Sequence, residues 1–269
     1  MNKLSFLTRF LFYVMSNPKK GKQMFDTKYQ NWKDVKTNTV FKYEAIKSNL
    51  DQIIKILFPE TNLSITEINK NTEQLQNHIN NFFDTLKSEK YPSKKKPYPT
   101  EYTLDNKSGL FLYALCKLTQ PEKIVETGVA YGLSSMYILQ ALHENKKGTL
   151  YSIDSVFSPW QSKEMIGAAI PSHLRERWKL NSGSSSEKLS GILSSLKSVD
   201  VFFHDSLHTY KNMTFEFETS WPFINKNGFL ISDDIGDNNA FHEFSTKTKL
   251  EPLILQQKEN SFLGIIKKS

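Results

Sequence analysis

Four short apolar runs in this 269-residue chain end on acids. Ile124-Val125 leads to Glu126, Thr149–Ile153 to Asp154, Val199–Phe203 to His204-Asp205, and Gly228–Ile231 to Ser232-Asp233-Asp234. Carboxylates brought within a few ångströms of one another cannot all stay ionised in a low-dielectric site. A set that converges therefore calls for a positively charged ligand. Directly after Glu126 come Gly128, Ala130 and Gly132, small residues in alternation. They let a backbone approach a ligand closely and, at the glycines, adopt positive φ.

Acids at these positions are useful only if something gathers them. The stretch from Ile124 to Ser135, IVETGVAYGLSS, reads as strand, tight loop and helix start. That arrangement presents backbone N–H groups and a helix N-terminus to a ligand. Beyond it, strands at 149–153, 178–180, 199–203 and 228–231 alternate with helical segments, among them one through Met136, Ile138, Leu139 and Leu142 and one through Tyr210, Met213, Phe217 and Trp221. Runs at 253–255 and 262–266 follow with no helix between them. The alternation predicts an α/β fold: a Rossmann-like, mostly parallel seven-stranded sheet closed by an antiparallel C-terminal hairpin. In such sheets ligands sit beyond the carboxyl ends of the strands, where all five acids lie. An acid at the tip of the first strand repels phosphate and welcomes a cation, so an ammonium- and sulfonium-bearing ligand suits it better than a dinucleotide. Asp154, 22 positions after Gly132, stands where an acid accepts hydrogen bonds from ribose hydroxyls.

The segments VETGVAYGLSS, LYSIDS, FHDSLHTY and GFLISDDI, in this order, resemble the class I S-adenosylmethionine-dependent methyltransferases. Within them they look like the branch holding small-molecule and sugar O-methyltransferases of the catechol and macrolide type. The resemblance covers about residues 105–267. It implies that Glu126 and the loop with Gly128, Ala130, Gly132 and Ser134 hold the methionine part, and Asp154 the ribose. The turn Gly183, Ser184 and Ser185 would lie near the adenine. It also implies a metal set of Asp205, Asp233 and Asp234, filled by Mg²⁺ or another divalent cation. The chain departs from the catechol pattern in having Asp-Asp where those members have Asp-Asn. A hard divalent ion takes oxygen ligands and keeps some waters, and substrate oxygens replacing them have their hydroxyl pKa lowered. His208, three residues after Asp205, is then the candidate general base beside Asp205. Two plainer readings stay open: Asp233-Asp234 as an N-cap before a helix at 238–244, and His208 as an orienting residue for the helix from Thr209.

The first hundred residues have a different character. They hold 17 Lys+Arg against 9 Asp+Glu, while the rest of the chain holds 18 against 19, so the net +7 belongs to the N-terminal third. Residues 1–15 repeat Leu4, Leu7, Leu11 and Val14 at helical spacing, a helix that docks on the body or lies on a membrane surface. Apolar periodicity predicts further helices over 40–57 and 65–86, and YPSKKKPYP at 91–99 reads as a linker. The expected division is thus a basic helical accessory region, 1–99, and a methyltransferase domain, 100–269. A single cysteine, Cys116, excludes an internal disulfide framework and suits a reducing, cytoplasmic setting with at most peripheral membrane contact.

The expected function is O-methylation of a small polar or sugar-like substrate. The expected partners are that methyl acceptor and a weak membrane-surface contact through the first helix. Solvated lysines explain the basic charge better than nucleic acid does, and a homo-oligomer stays open. Two alternatives carry different chemistry: a nicotinamide-dependent oxidoreductase on a similar sheet, against which Ala130, Leu133 and Glu126 argue, and a non-catalytic protein that keeps the fold and binds membrane or RNA through its basic region.

Overall fold

The computed structural model describes residues 3–36, 40–43, 49–100, 104–258 and 261–269. Seven strands form one sheet: β1 (Lys123–Thr127), β2 (Thr149–Asp154), β3 (Trp178–Ser182), β4 (Val199–His204), β5 (Ile224–Ser232), β6 (Leu253–Lys258) and β7 (Ser261–Lys267). Their order is β3-β2-β1-β4-β5-β7-β6, with β1 to β5 parallel and β7 antiparallel to both β5 and β6. The mixed sheet and its C-terminal hairpin follow the sequence pattern. β5 begins four residues earlier than its apolar run, because Ile224 pairs with Val199 before a register shift.

Strand periodicity builds the two faces. Ile124, Val201, Phe203, Phe229 and Ile231 point into one core, whereas Val125, Phe202 and Leu230 point into the other. Helices α5 (Asn106–Thr119) and α6 (Leu133–Asn145) cover the first face. Helices α7 (Ser185–Leu196), α8 (Tyr210–Ser220) and α9 (Ala240–Thr248) cover the second. Sequence periodicity did not single out α7. Its signal is the capping box of Ser184 with Glu187, followed by Leu189 and Leu193 one turn apart in the core. Cys116 is buried in α5 as a packing residue.

The N-terminal helices are α1 (Lys3–Ser16), α2 (Pro18–Lys36), α3 (Leu50–Leu57) and α4 (Ile65–Leu86). The helix expected over 40–57 begins only at Leu50. Residues 40–43 are irregular and pinned to α9: the Phe41 N–H donates to Asn239 Oδ1 at 2.8 Å, and the Phe41 ring stacks on His242 at 3.7 Å. Residues 44–48 of that expectation lie outside the described residues. Ile53, Ile54, Ile68 and Leu75 of α3 and α4 are buried in the same core as Phe111 and Ile138. From residue 50 onward the helical region therefore shares the core of the sheet. Among the described residues no helix is long and apolar enough to cross a membrane.

Candidate active site

The order reversal between β1 and β4 opens a crevice at the carboxyl ends of those strands, and the loop after β1 fills it. Gly128, Ala130 and Gly132 have φ of 84°, 47° and 95°. Gly128 leaves no room for a side chain, since a Cβ there would stand 1.8 Å from the carbonyl oxygen of Asp205. Gly132 caps α6, and a Cβ on it would meet Ile170. Its backbone turns the chain into α6.

Glu126 stands near the end of β1. It is fully buried, and its carboxylate accepts hydroxyl hydrogen bonds from Ser134 (2.5 Å), Ser135 (2.6 Å) and Ser152 (2.7 Å). Burial pushes its pKa up against the pull of these hydroxyls. The acid staples the first turn of α6 to β1 and β2. Ser134, one of its three partners, stands on a cavity wall.

Asp154 holds the loop from the other side. Its Oδ2 accepts the N–H groups of Val129 (3.1 Å) and Ala130 (2.8 Å), and its Oδ1 accepts that of Ser155 (2.6 Å). A carboxylate has about four lone-pair sites, so one remains for a ligand. Asp154, Gly128, Ala130, Gly183, Ser184 and Ser185 line a cavity of about 330 Å³, together with Asp205. Gln23 and Thr27 of α2 line it as well, as do Phe157 and Leu207. A smaller cavity of about 150 Å³ lies on the far side of the loop, between Tyr98, Leu104, Tyr131 and Ser134, and Asp205 borders both. Tyr131 is buried against Phe82 and Phe83, and its hydroxyl donates to the Tyr98 carbonyl at 3.1 Å, which holds Tyr98 over the loop.

The remaining acids cluster around His208. Ligand atoms of Asp205, His208 and Asp233 lie within 4.8 Å of one another, and those of His208, Asp234 and Asp237 do likewise. His208 Nε2 stands 3.7 Å from Asp205 Oδ1, and its Nδ1 stands 3.5 Å from Asp234 Oδ2. Burial, with the charges of Asp233, Glu126 and Asp234 next, drives the Asp205 carboxyl well above the usual range. Burial and Asp234 push Asp233 up to about 7. Gln257 donates to Asp233 Oδ1, and Ser261 donates to Asp234 Oδ1 at 2.8 Å. Neither acid caps a helix, since α9 begins at Ala240 with Asn239 as its N-cap. Thr209 likewise caps α8, which leaves the His208 ring to the acids.

Beneath the cluster lies a residue the sequence reading did not single out. Glu216 of α8 is fully buried and accepts from Thr127 Oγ1 (2.5 Å), Ser206 Oγ (2.7 Å) and Asn212 Nδ2 (3.0 Å). Its Oε2 also lies 2.6 Å from His204 Nδ1. Burial alone would raise its pKa, but His204 and the hydroxyl donors outweigh that and hold it at about 2. His204 is buried with its ring 5.3 Å from that of His208, so this pair supports the acidic cluster from below. The available signal was an acid on the apolar stripe of α8, three residues after Met213 and next to Phe217.

The fold is that of the Rossmann-like methyltransferases. Residues 125–235, from β1 to just past β5, match the family model described as "Methyltransferase domain", and this segment contains Glu126, Asp154, Asp205, Asp233 and Asp234. This segment is thus similar to methyltransferase domains, as the fold is. Solved structures with the same fold include a Bacillus cereus O-methyltransferase in complex with SAH (14% identity, TM-score 0.54, covering 82% of this chain and 100% of that one). An SAH-bound Podospora anserina methyltransferase (13%, 0.51, 86% and 100%) and a Geobacter sulfurreducens methyltransferase (17%, 0.51, 83% and 100%) are similar to the same degree. No curated protein matches the sequence.

Proposed function

We propose that this chain transfers the methyl group of S-adenosylmethionine to a hydroxyl oxygen of a small polar or sugar-like acceptor, with a divalent cation such as Mg²⁺ assisting. The observation that carries this reading is the position of Asp205: it borders the 330 Å³ cavity, the 150 Å³ cavity and the acidic cluster at once. The SAH held by the Bacillus cereus O-methyltransferase fold supports the same cofactor for the larger cavity.

In this reading Asp154 offers its remaining lone-pair site to the ribose, and the backbone from Gly128 to Ala130 faces the methionine part. Ser184 and Ser185 flank the adenine end. Glu126 and Gly132 act at one remove, by fixing the loop and the start of α6. S-adenosylmethionine supplies an electrophilic methyl on a sulfonium. The carboxylates of Asp205, Asp233 and Asp234 suit a hard divalent cation, which takes oxygen ligands and would supply Lewis acidity to an acceptor hydroxyl. Burial and His204 bring His208 down to about 4, so its imidazole is neutral at pH 7, with one ring nitrogen able to accept a proton. Alignment of acceptor oxygen and methyl carbon then governs the rate.

Incubation with methyl-labelled S-adenosylmethionine and a panel of catechol and sugar hydroxyls tests the proposal. The expected result is label in an ether linkage. Label found only on nitrogen or carbon acceptors would contradict it. Asp154→Ala is expected to weaken cofactor binding roughly tenfold or more, the order of a lost hydrogen bond to a charged group. Calorimetric titration of the variant checks this. Chelation and Asp233→Ala are each expected to suppress turnover. Turnover indifferent to both would reduce the acids to structural residues.

A further inference from the structure

Helix α2 is amphipathic the wrong way round for a helix packed on a protein. Gln23, Thr27 and Asp34 lie on its inner side: the first two line the 330 Å³ cavity, and Asp34 Oδ2 accepts the Tyr210 N–H at the start of α8 (2.9 Å). Phe25, Tyr29 and Trp32 follow one another at helical spacing on the opposite side, 67%, 58% and 53% exposed, with Val35 at 80%. Tyr29 and Trp32 stack at 6.0 Å. Lys22 and Lys28, both exposed, fall about 60° to either side of this stripe on a helix of 3.6 residues per turn. Across the turn, α1 closes on α2 where buried Gly21 meets Val14, and exposes Leu11, Phe12 and Met15.

We propose that the α1–α2 hairpin is a docking surface for an anionic lipid bilayer. Charge complementarity selects this occupant. Residues 3–36 carry eight Lys+Arg against two Asp, nearly all of the chain's net +7. Aromatic and aliphatic side chains between flanking lysines are what an interfacial helix presents: the apolar face enters the headgroup boundary, and the lysines reach anionic headgroups. Leu11, Met15 and Val35 have no π-face on which a nucleic-acid base could stack. A second copy of the same hairpin would bring like charges together. Because α2 also lines the larger cavity, docking holds that cavity about one helix diameter, ~10 Å, from the headgroups. The surface is read from α1 and α2 and does not depend on the methyl-transfer reading.

Co-sedimentation of the full chain with vesicles tests it. Vesicles of equal parts phosphatidylglycerol and phosphatidylcholine are expected to retain the protein, pure phosphatidylcholine vesicles to retain little, and high salt to release it. Phe25→Ser with Trp32→Ser, and separately Lys22→Glu with Lys28→Glu, are expected to lower partitioning roughly tenfold or more. The altered side chains are exposed, and an unchanged thermal midpoint verifies that both variants fold. No retention on anionic vesicles, or retention by both variants undiminished from that of the wild type, would overturn the proposal. So would a dimer in sedimentation equilibrium that the serine variant dissolves, or salt-sensitive RNA retention without vesicle binding.

Discussion

Glu216→Ala is expected to destabilise the protein by ~3 kcal/mol or more, because several buried groups lose their acceptor together and each one left unsatisfied costs about 1–3 kcal/mol. The substitution takes away one carboxylate and leaves the Thr127 and Ser206 hydroxyls, the Asn212 amide and His204 Nδ1 facing a void. Glu216→Gln fills the volume, but its amide nitrogen cannot accept from them. Urea unfolding measures the loss as a fall in midpoint. The pH dependence has a definite sign. Glu216 is held at about 2, below its ordinary 4.5, so its ionised form is favoured by the fold. Its contribution is therefore fully present above pH 4.5 and is lost as pH falls from there towards 2. Glu126, Asp154 and Asp233 are shifted upwards and slope the other way. The difference between wild type and Glu216→Gln removes their share. That difference should be flat from pH 5 to neutrality and shrink below pH 4.5. A difference that grows with acidification would contradict the assignment.

Gly128→Ala is expected to cost at least ~100-fold in affinity for S-adenosylmethionine, about 3 kcal/mol. Two independent reasons converge on this one position. Its φ of 84° strains any residue with a Cβ, and the added methyl would stand 1.8 Å from the Asp205 carbonyl oxygen. Relief requires β1 and β4 to part at their tips, which shifts the loop that Asp154 holds and displaces Asp205 from both cavities. Calorimetric titration of the purified variant, with its circular dichroism compared with wild type, separates lost binding from lost folding. Near-wild-type affinity would mean that the loop does not contact the cofactor.

The sheet was legible because Ile124-Val125, Val201–Phe203 and Phe229–Ile231 are apolar on both faces of the strand, as central parallel strands must be. The acids at the strand tips were legible for a related reason, since a charge closing an apolar run has few uses except at a site. What each acid does was not legible. Glu126 and Asp154 look equivalent in sequence, yet three serines from two other elements enclose the first, while the second keeps contact with the cavity. Such partners are set by tertiary packing. Helix α2 escaped notice for the opposite reason to Glu216. Its aromatic stripe faces outwards and its polar residues face the protein, so a reading in which apolar means buried had nothing to find.

Titration calorimetry of the full chain with S-adenosylmethionine is the most direct test of the central claim, that the loop from Gly128 to Gly132 and Asp154 form a site for a cationic methyl donor. Saturable binding to one site per chain is expected, abolished by Gly128→Ala and weakened by Asp154→Ala. Absence of binding by the folded wild-type protein at high micromolar cofactor would contradict it.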